Sequence, residues 1–147
     1  MPRIERNAHV VWEGNVARGR GLISAETGAF ADLPYTLATR VGNPEGKTSP
    51  EELLAAAHAA CFTTSLATEL VKAGTPPGRL SVHCRIVMDL VEGQGHQIVG
   101  SIVTVDADVD GADRAALEAA IEKADGGCPF SALLNRAGAH VQISLAL

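Results

Sequence analysis

The chain has 147 residues and a net charge of -5, with 46% apolar, 20% charged and 3% aromatic residues. That length suits one domain, the composition excludes a disordered chain, and the acidic balance excludes the basic stripe of a general nucleic-acid binder. So few rings leave the core to Ala, Val, Leu and Ile, which favours cover from a partner surface. At the start, MPRIERNAHVVW holds no apolar signal core, so a cytoplasmic chain is expected. Residues 9–24 read as one or two short strands broken by turns, and 33–41 (LPYTLATRV) alternates as a third strand. The run GNPEGKTSP is a loop by composition.

A long helix is expected next. Ser49 suits its N-cap, Pro50 the first helical position, and Glu52 the capping-box position three residues after Ser49. Glu51 and Glu52 also place negative charge at the positive end of the helix dipole. The helix runs to Lys72 or Ala73, where Gly74, Pro76 and Pro77 end it, a length of roughly 35 Å. Its middle, LLAAAHAACFTTSLA, is small or apolar on every face, which predicts burial all round and a second chain helping to cover it. The uncharged run 53–68 carries His58, Cys61, Thr63, Thr64 and Ser65 and falls short of the about 20 apolar residues of a membrane span, so no membrane is expected.

Two strands follow, 79–91 and 96–109, joined by a turn at Gly93–Gly95. An amphipathic helix over 113–125 is stopped by Gly126 and Gly127. A short helix begins at Cys128-Pro129-Phe130-Ser131 and continues through Arg136, and 140–147 is a last strand. This order predicts an α+β fold with a mainly antiparallel sheet, in a single domain spanning 1–147.

Three cysteines are too few for a disulfide scaffold, and their odd number leaves one unpaired. Cys61 lies midway along the buried helix, where a cysteine is commonly an inert small hydrophobe. Cys128 stands at a helix start, where the dipole favours thiolate. Two thiols so placed suit peroxide chemistry: one forms a sulfenic acid and the other condenses with it to a disulfide. Cys84 reads as a packed strand residue. His58 shares a helix face with Cys61, but without C-x-x-C or H-x-x-x-H spacing the metal signal is weak, and His58 reads as a satisfied core or interface histidine. An active thiol needs a cationic neighbour, for which Arg18, Arg20 and Arg40 are the candidates.

The run from Thr48-Ser49-Pro50-Glu51-Glu52-Leu53 to Ala55-Ala56-Ala57-His58-Ala59-Ala60-Cys61-Phe62 resembles the helix of the OsmC/Ohr family of thiol peroxidases. Gly127-Cys128-Pro129-Phe130-Ser131 resembles that family's second cysteine motif, and Trp12-Glu13-Gly14, Arg18-Gly19-Arg20-Gly21 and the Tyr35…Thr39-Arg40 segment look like its OsmC branch. The resemblance implies an antiparallel sheet wrapping a long central helix in an intertwined homodimer. It implies that Cys61 attacks an organic hydroperoxide, that Cys128 resolves the sulfenic acid, and that a dithiol such as a lipoylated protein reduces the disulfide. Glu51 matches the family's glutamate that pairs with an activating arginine, placed at Arg40 with Arg20 as the alternative. Arg20, Phe62 and Phe130 are assigned to the substrate pocket. No cofactor and no metal are implied.

Geometry adds a constraint. Glu51 and Cys61 stand ten residues apart, roughly 15 Å along a straight helix. Glu51 therefore meets either the thiol of the other chain or, if the helix starts late, its own thiol from a loop. A non-catalytic redox-sensing or ligand-binding module on the same fold is the alternative to an enzyme, and a zinc site from His58, Cys61 and Cys128 is a third reading.

Overall fold

The structure is a computed structural model that describes residues 2–146. The chain divides into two compact units, Met1–Pro50 and Glu51–Leu147.

The first unit is a three-stranded antiparallel sheet in the order β1 (Ala8–Glu13), β2 (Arg20–Ala25), β3 (Leu33–Tyr35). Gly21 pairs with Trp12 on one side and Tyr35 on the other, and the two rings meet across it with centroids 5.6 Å apart. A side chain at Gly21 would collide with the Tyr35 ring. The strand expected over 33–41 ends at Tyr35, and a short helix α1 (Leu37–Val41) replaces its second half. The cause is a capping box: the Thr36 hydroxyl accepts from the Thr39 N–H, and the Thr39 hydroxyl accepts from the Thr36 N–H. The alternation of LPYTLATRV hides this cap, and Arg40 consequently stands in the last turn of a helix.

The second unit is built on α2 (Pro50–Lys72), which begins at the expected proline. His58, Phe62, Leu66 and Leu70 recur every four residues and form its buried face. Phe62, Leu66 and Leu70 pack with Val103, Val105, Ala120, Ile121, Ala124 and Cys128 in one core. Fully burying a side chain such as Phe62 or Leu66 stabilises the fold by about 1.5–3 kcal/mol. Burial all round does not hold within one chain: Ala56, Ala60, Thr64 and Thr68 line an exposed stripe. By length and composition α2 could cross a membrane. Its buried face, packed on a sheet and a helix, is that of a core helix.

The long hairpin β4 (Arg79–Val91) and β5 (Gly95–Asp108) follows, with a bulge at Val87/Met88. Helix α3 (Arg114–Gly127) starts at Asp113, whose carboxylate accepts from the Ala116 N–H at 2.8 Å. It does not stop at the glycine pair. Both glycines are helical, and the break comes at Cys128, which Pro129 holds in extended backbone (φ -85, ψ 115). Helix α4 (Pro129–Arg136) and β6 (His140–Leu145) complete the unit. β6 runs parallel to β5, so this sheet is mixed; the α3–α4 segment supplies the crossover that a parallel pair requires. Leu147, which the sequence places in this last strand, lies outside the described residues.

Candidate functional site

Cys61 projects from the middle of α2, half-buried, and Cys128 is the N-cap residue of α4, fully buried. The Cys128 N–H donates to the Asp125 carbonyl, and Pro129 has no N–H. Phe130 therefore offers the next free N–H at the helix start, and it acts on the Cys61 sulfur in favour of thiolate. The Cys128 side chain does not cap its own helix; its thiol lies beside Cys61 and acts on the Cys61 proton. The helix start thus serves the Cys61 sulfur, whereas sequence reasoning gave that benefit to Cys128.

Burial pushes the Cys61 thiol up from the ordinary cysteine value, and the hydrogen bond and charge of Cys128 push the same way. The Phe130 N–H opposes them by stabilising thiolate. All of these groups belong to the second unit, which keeps the two sulfurs adjacent and favours the protonated form of Cys61. All three cysteines are free thiols.

A buried polar network lies beside the thiols. His58 is 0% exposed. Its Nδ1 is 2.7 Å from the Ser101 hydroxyl of β5, and its Nε2 is 2.8 Å from the Ser131 hydroxyl of α4. A neutral imidazole donates from one nitrogen and accepts at the other, and a hydroxyl can do either, so both bonds are satisfied without a charge. Burial lowers the His58 pKa from 6.5, and the Asp125 carboxylate opposes that shift. Cys84 Sγ is 3.3 Å from the Ser101 hydroxyl and 3.9 Å from His58 Nδ1. Burial raises the Cys84 thiol, and its hydrogen bond with Ser101 works against that. The expectation of a satisfied core histidine holds.

The structure brings Cys61, Cys128 and Phe130 together. Phe130 contributes its backbone, and its half-buried ring packs against the core. Phe62, assigned to the substrate pocket, is 0% exposed and is a core residue in this chain. Glu51 sits in the first turn of a continuous α2, roughly 15 Å of helix from Cys61, so a late helix start is ruled out. Arg40 and Arg20 belong to the first unit. Arg40 lines a cleft of about 200 Å³ with Trp12, Val16, Tyr35 and Leu37. Arg20 stands 3.5 Å from Glu13, its neighbour across the strands, in an exposed ion pair.

Sequence reasoning missed Ser101, Ser131 and the Phe130 N–H. The available signal was spacing: His58 and Cys61 are three apart on one helix, as are Cys128 and Ser131 at the start of another. Among the described residues, no three or more His, Cys, Asp or Glu side chains gather as metal ligands, and both His58 nitrogens are already engaged.

A model of the OsmC-like protein family matches residues 42–144. Peroxiredoxin OsmC of Escherichia coli (strain K12) is 36% identical over 132 residues, which cover 90% of this chain and 91% of that protein. Organic hydroperoxide resistance protein OhrA of Bacillus subtilis (strain 168) is 32% identical over 114 residues, 75% of this chain and 76% of that one. The crystal structure of OhrB of Bacillus subtilis is similar to this fold, with a TM-score of 0.75 at 23% identity over 95% of this chain and 98% of that chain.

Proposed function

The chain belongs to the OsmC-like protein family, and from that premise we propose that it is a thiol peroxidase reducing organic hydroperoxides to alcohols and, less well, hydrogen peroxide to water. The observation that carries this reading is the placing of Cys61 beside Cys128 and the start of α4, where the Cys128 thiol and the Phe130 backbone act on its proton. The names of the relatives support it.

The Cys61 thiolate attacks one peroxide oxygen. The S–O bond forms as the O–O bond breaks, and the alkoxide leaves with a proton as the alcohol. Cys61 is then a sulfenic acid. The Cys128 sulfur attacks it, the S–S bond forms, and hydroxide leaves with the Cys128 proton as water. A dithiol, such as a lipoylated protein, returns both thiols and is itself oxidised to its disulfide. The Phe130 N–H stabilises the Cys61 thiolate in the first step. Within one chain that thiol is nonetheless pushed up, with no arginine among the causes, so the reading requires a cation brought to it in the dimer. Arg40, paired with Glu51, supplies it, with Arg20 as the alternative.

The working assembly in this reading is an intertwined homodimer in the cytoplasm, in which Glu51 serves the thiol of the other chain. The small-residue stripe left exposed on α2 supports a partner, as do the exposed Val10, Val11 and Trp12 of β1. Titration of free thiols after one equivalent of cumene hydroperoxide tests the activity. Loss of two thiols per chain within seconds is expected. Slow or absent loss overturns the peroxidase and points to a non-catalytic sensing or binding module.

A further inference from the structure

The thiol pair is one of two cross-links between the same helices. Cys61 and His58 are three residues apart on α2, and Cys128 and Ser131 are three apart at the start of α4. Cys61 lies beside Cys128, and one turn away His58 Nε2 bonds to the Ser131 hydroxyl at 2.8 Å. His58 and Ser131 are 0% and 1% exposed, so water cannot replace either group without opening the core. The second His58 nitrogen is tied to Ser101 on β5, which anchors the imidazole to the sheet. The Phe130 N–H that reaches Cys61 is next to Ser131 in the chain.

In the reaction proposed above, the sulfur–sulfur link is made and broken in every cycle. The His58–Ser131 link does not change with oxidation. We infer that His58 is a positioning residue for disulfide formation: through Ser131 it holds the first turn of α4 against α2, keeping Cys128 in reach while Cys61 is a sulfenic acid. The rival fate of that sulfenic acid is attack on a second hydroperoxide. There the sulfur is oxidised to sulfinic acid and the peroxide is reduced to alcohol, a step that is not reversed by thiols. The His58–Ser131 bond therefore sets the partition between disulfide and sulfinate. The inference rests on the peroxidase reading for its oxidative half, but not for the equilibrium between dithiol and disulfide.

Two serine variants separate this role from general stability, because each leaves His58 with one lost partner. Ser131→Ala cuts the link to α4, and Ser101→Ala cuts only the link to the sheet. Two side-chain variants repeat the contrast. The amide of Asn lies near the Nδ1 position and that of Gln near the Nε2 position, so His58→Asn drops Ser131 and His58→Gln keeps it. Two readouts apply to the full chain after melting curves establish folding. One is the cumene hydroperoxide concentration giving half sulfinate at Cys61 by intact mass. The other is the equilibrium constant for Cys61–Cys128 disulfide formation against dithiothreitol.

Ser131→Ala and His58→Asn should each lower both quantities by about three- to tenfold, the worth of one buried hydrogen bond. Ser101→Ala and His58→Gln should stay within about twofold of the parent. Equal effects from Ser101→Ala and Ser131→Ala, or a parent-like Ser131→Ala, would overturn the positioning role. If Ser131→Ala does not fold, the His58→Asn and His58→Gln pair decides in the same way. A parent chain that consumes no peroxide defeats the peroxidase reading alone, and the dithiothreitol equilibrium still decides the inference.

Discussion

In the second unit His58, Ser101 and Ser131, beside the thiols, are buried and paired with one another, while in the first unit Arg20 and Glu13 stand at the surface. Arg20 and Glu13 are 71% and 69% exposed, and such an ion pair contributes little to stability. His58, Ser101 and Ser131 are at most 1% exposed, and breaking any of their bonds leaves a buried group unsatisfied. The difference separates two tasks. The second unit sets the geometry of the two sulfurs and, by burial, holds the Cys61 proton on. Among the described residues no arginine acts on Cys61 within one chain, and in the proposed function Arg40 provides that charge in the dimer.

The largest effect should come from the sulfur itself. Cys61→Ser should abolish hydroperoxide consumption, measured by loss of cumene hydroperoxide in the presence of a dithiol. Surviving turnover would shift the chemistry to Cys128 or Cys84. Next comes Cys128→Ser, which should consume about one equivalent and then stall as a sulfenic acid or its overoxidised products, seen by intact mass. Normal turnover in that variant would remove Cys128 from the resolving role.

Arg40→Met bears on the division of tasks directly. Thiolate is the reacting form, so the rate rises with pH through the Cys61 pKa and then levels off. In the single chain that pKa stands above the ordinary value, with no arginine among the groups that act on it, and the proposed function has Arg40 lower it in the dimer. The parent protein should therefore level off well below the variant, and the variant should react about tenfold or more slowly at neutral pH. An unchanged profile in Arg40→Met with a changed one in Arg20→Met would move the role to Arg20.

The smallest effect concerns stability. Folded His58 takes up its proton at lower pH than unfolded His58. Its contribution is complete above the unfolded value of 6.5 and is lost as pH falls through that value toward the folded one. The melting temperature should fall by about 2–5 °C between pH 7 and pH 5, and His58→Gln should lack that part of the fall. An equal fall in the variant would place the titration elsewhere.

Local signals made much of this legible in the sequence. Pro50 with two acidic residues started α2, and Asp113 started α3 where amphipathic periodicity asked for a helix. Where two local signals competed, alternation misled: Thr36 and Thr39 cap a helix inside a segment that alternates like a strand. Gly126 and Gly127 signalled a stop, yet Pro129 sets the break one residue later by restricting Cys128. The parallel pairing of β6 carries no local signature, because register with β5 is a tertiary property. The same holds at the site. The two thiols and the helix start beside them were readable, but His58 finds Ser101 and Ser131 at separations of 43 and 73 residues. Only folding reveals that the N–H at the start of α4 reaches Cys61.

Peptide mapping by mass spectrometry, after one equivalent of cumene hydroperoxide and alkylation of the remaining thiols, puts the pairing of the two sulfurs to the most direct test. The account predicts a peptide pair joined through Cys61 and Cys128 with Cys84 alkylated. A crosslink through Cys84, or a sulfinic Cys61 with Cys128 alkylated in the parent protein, would contradict it.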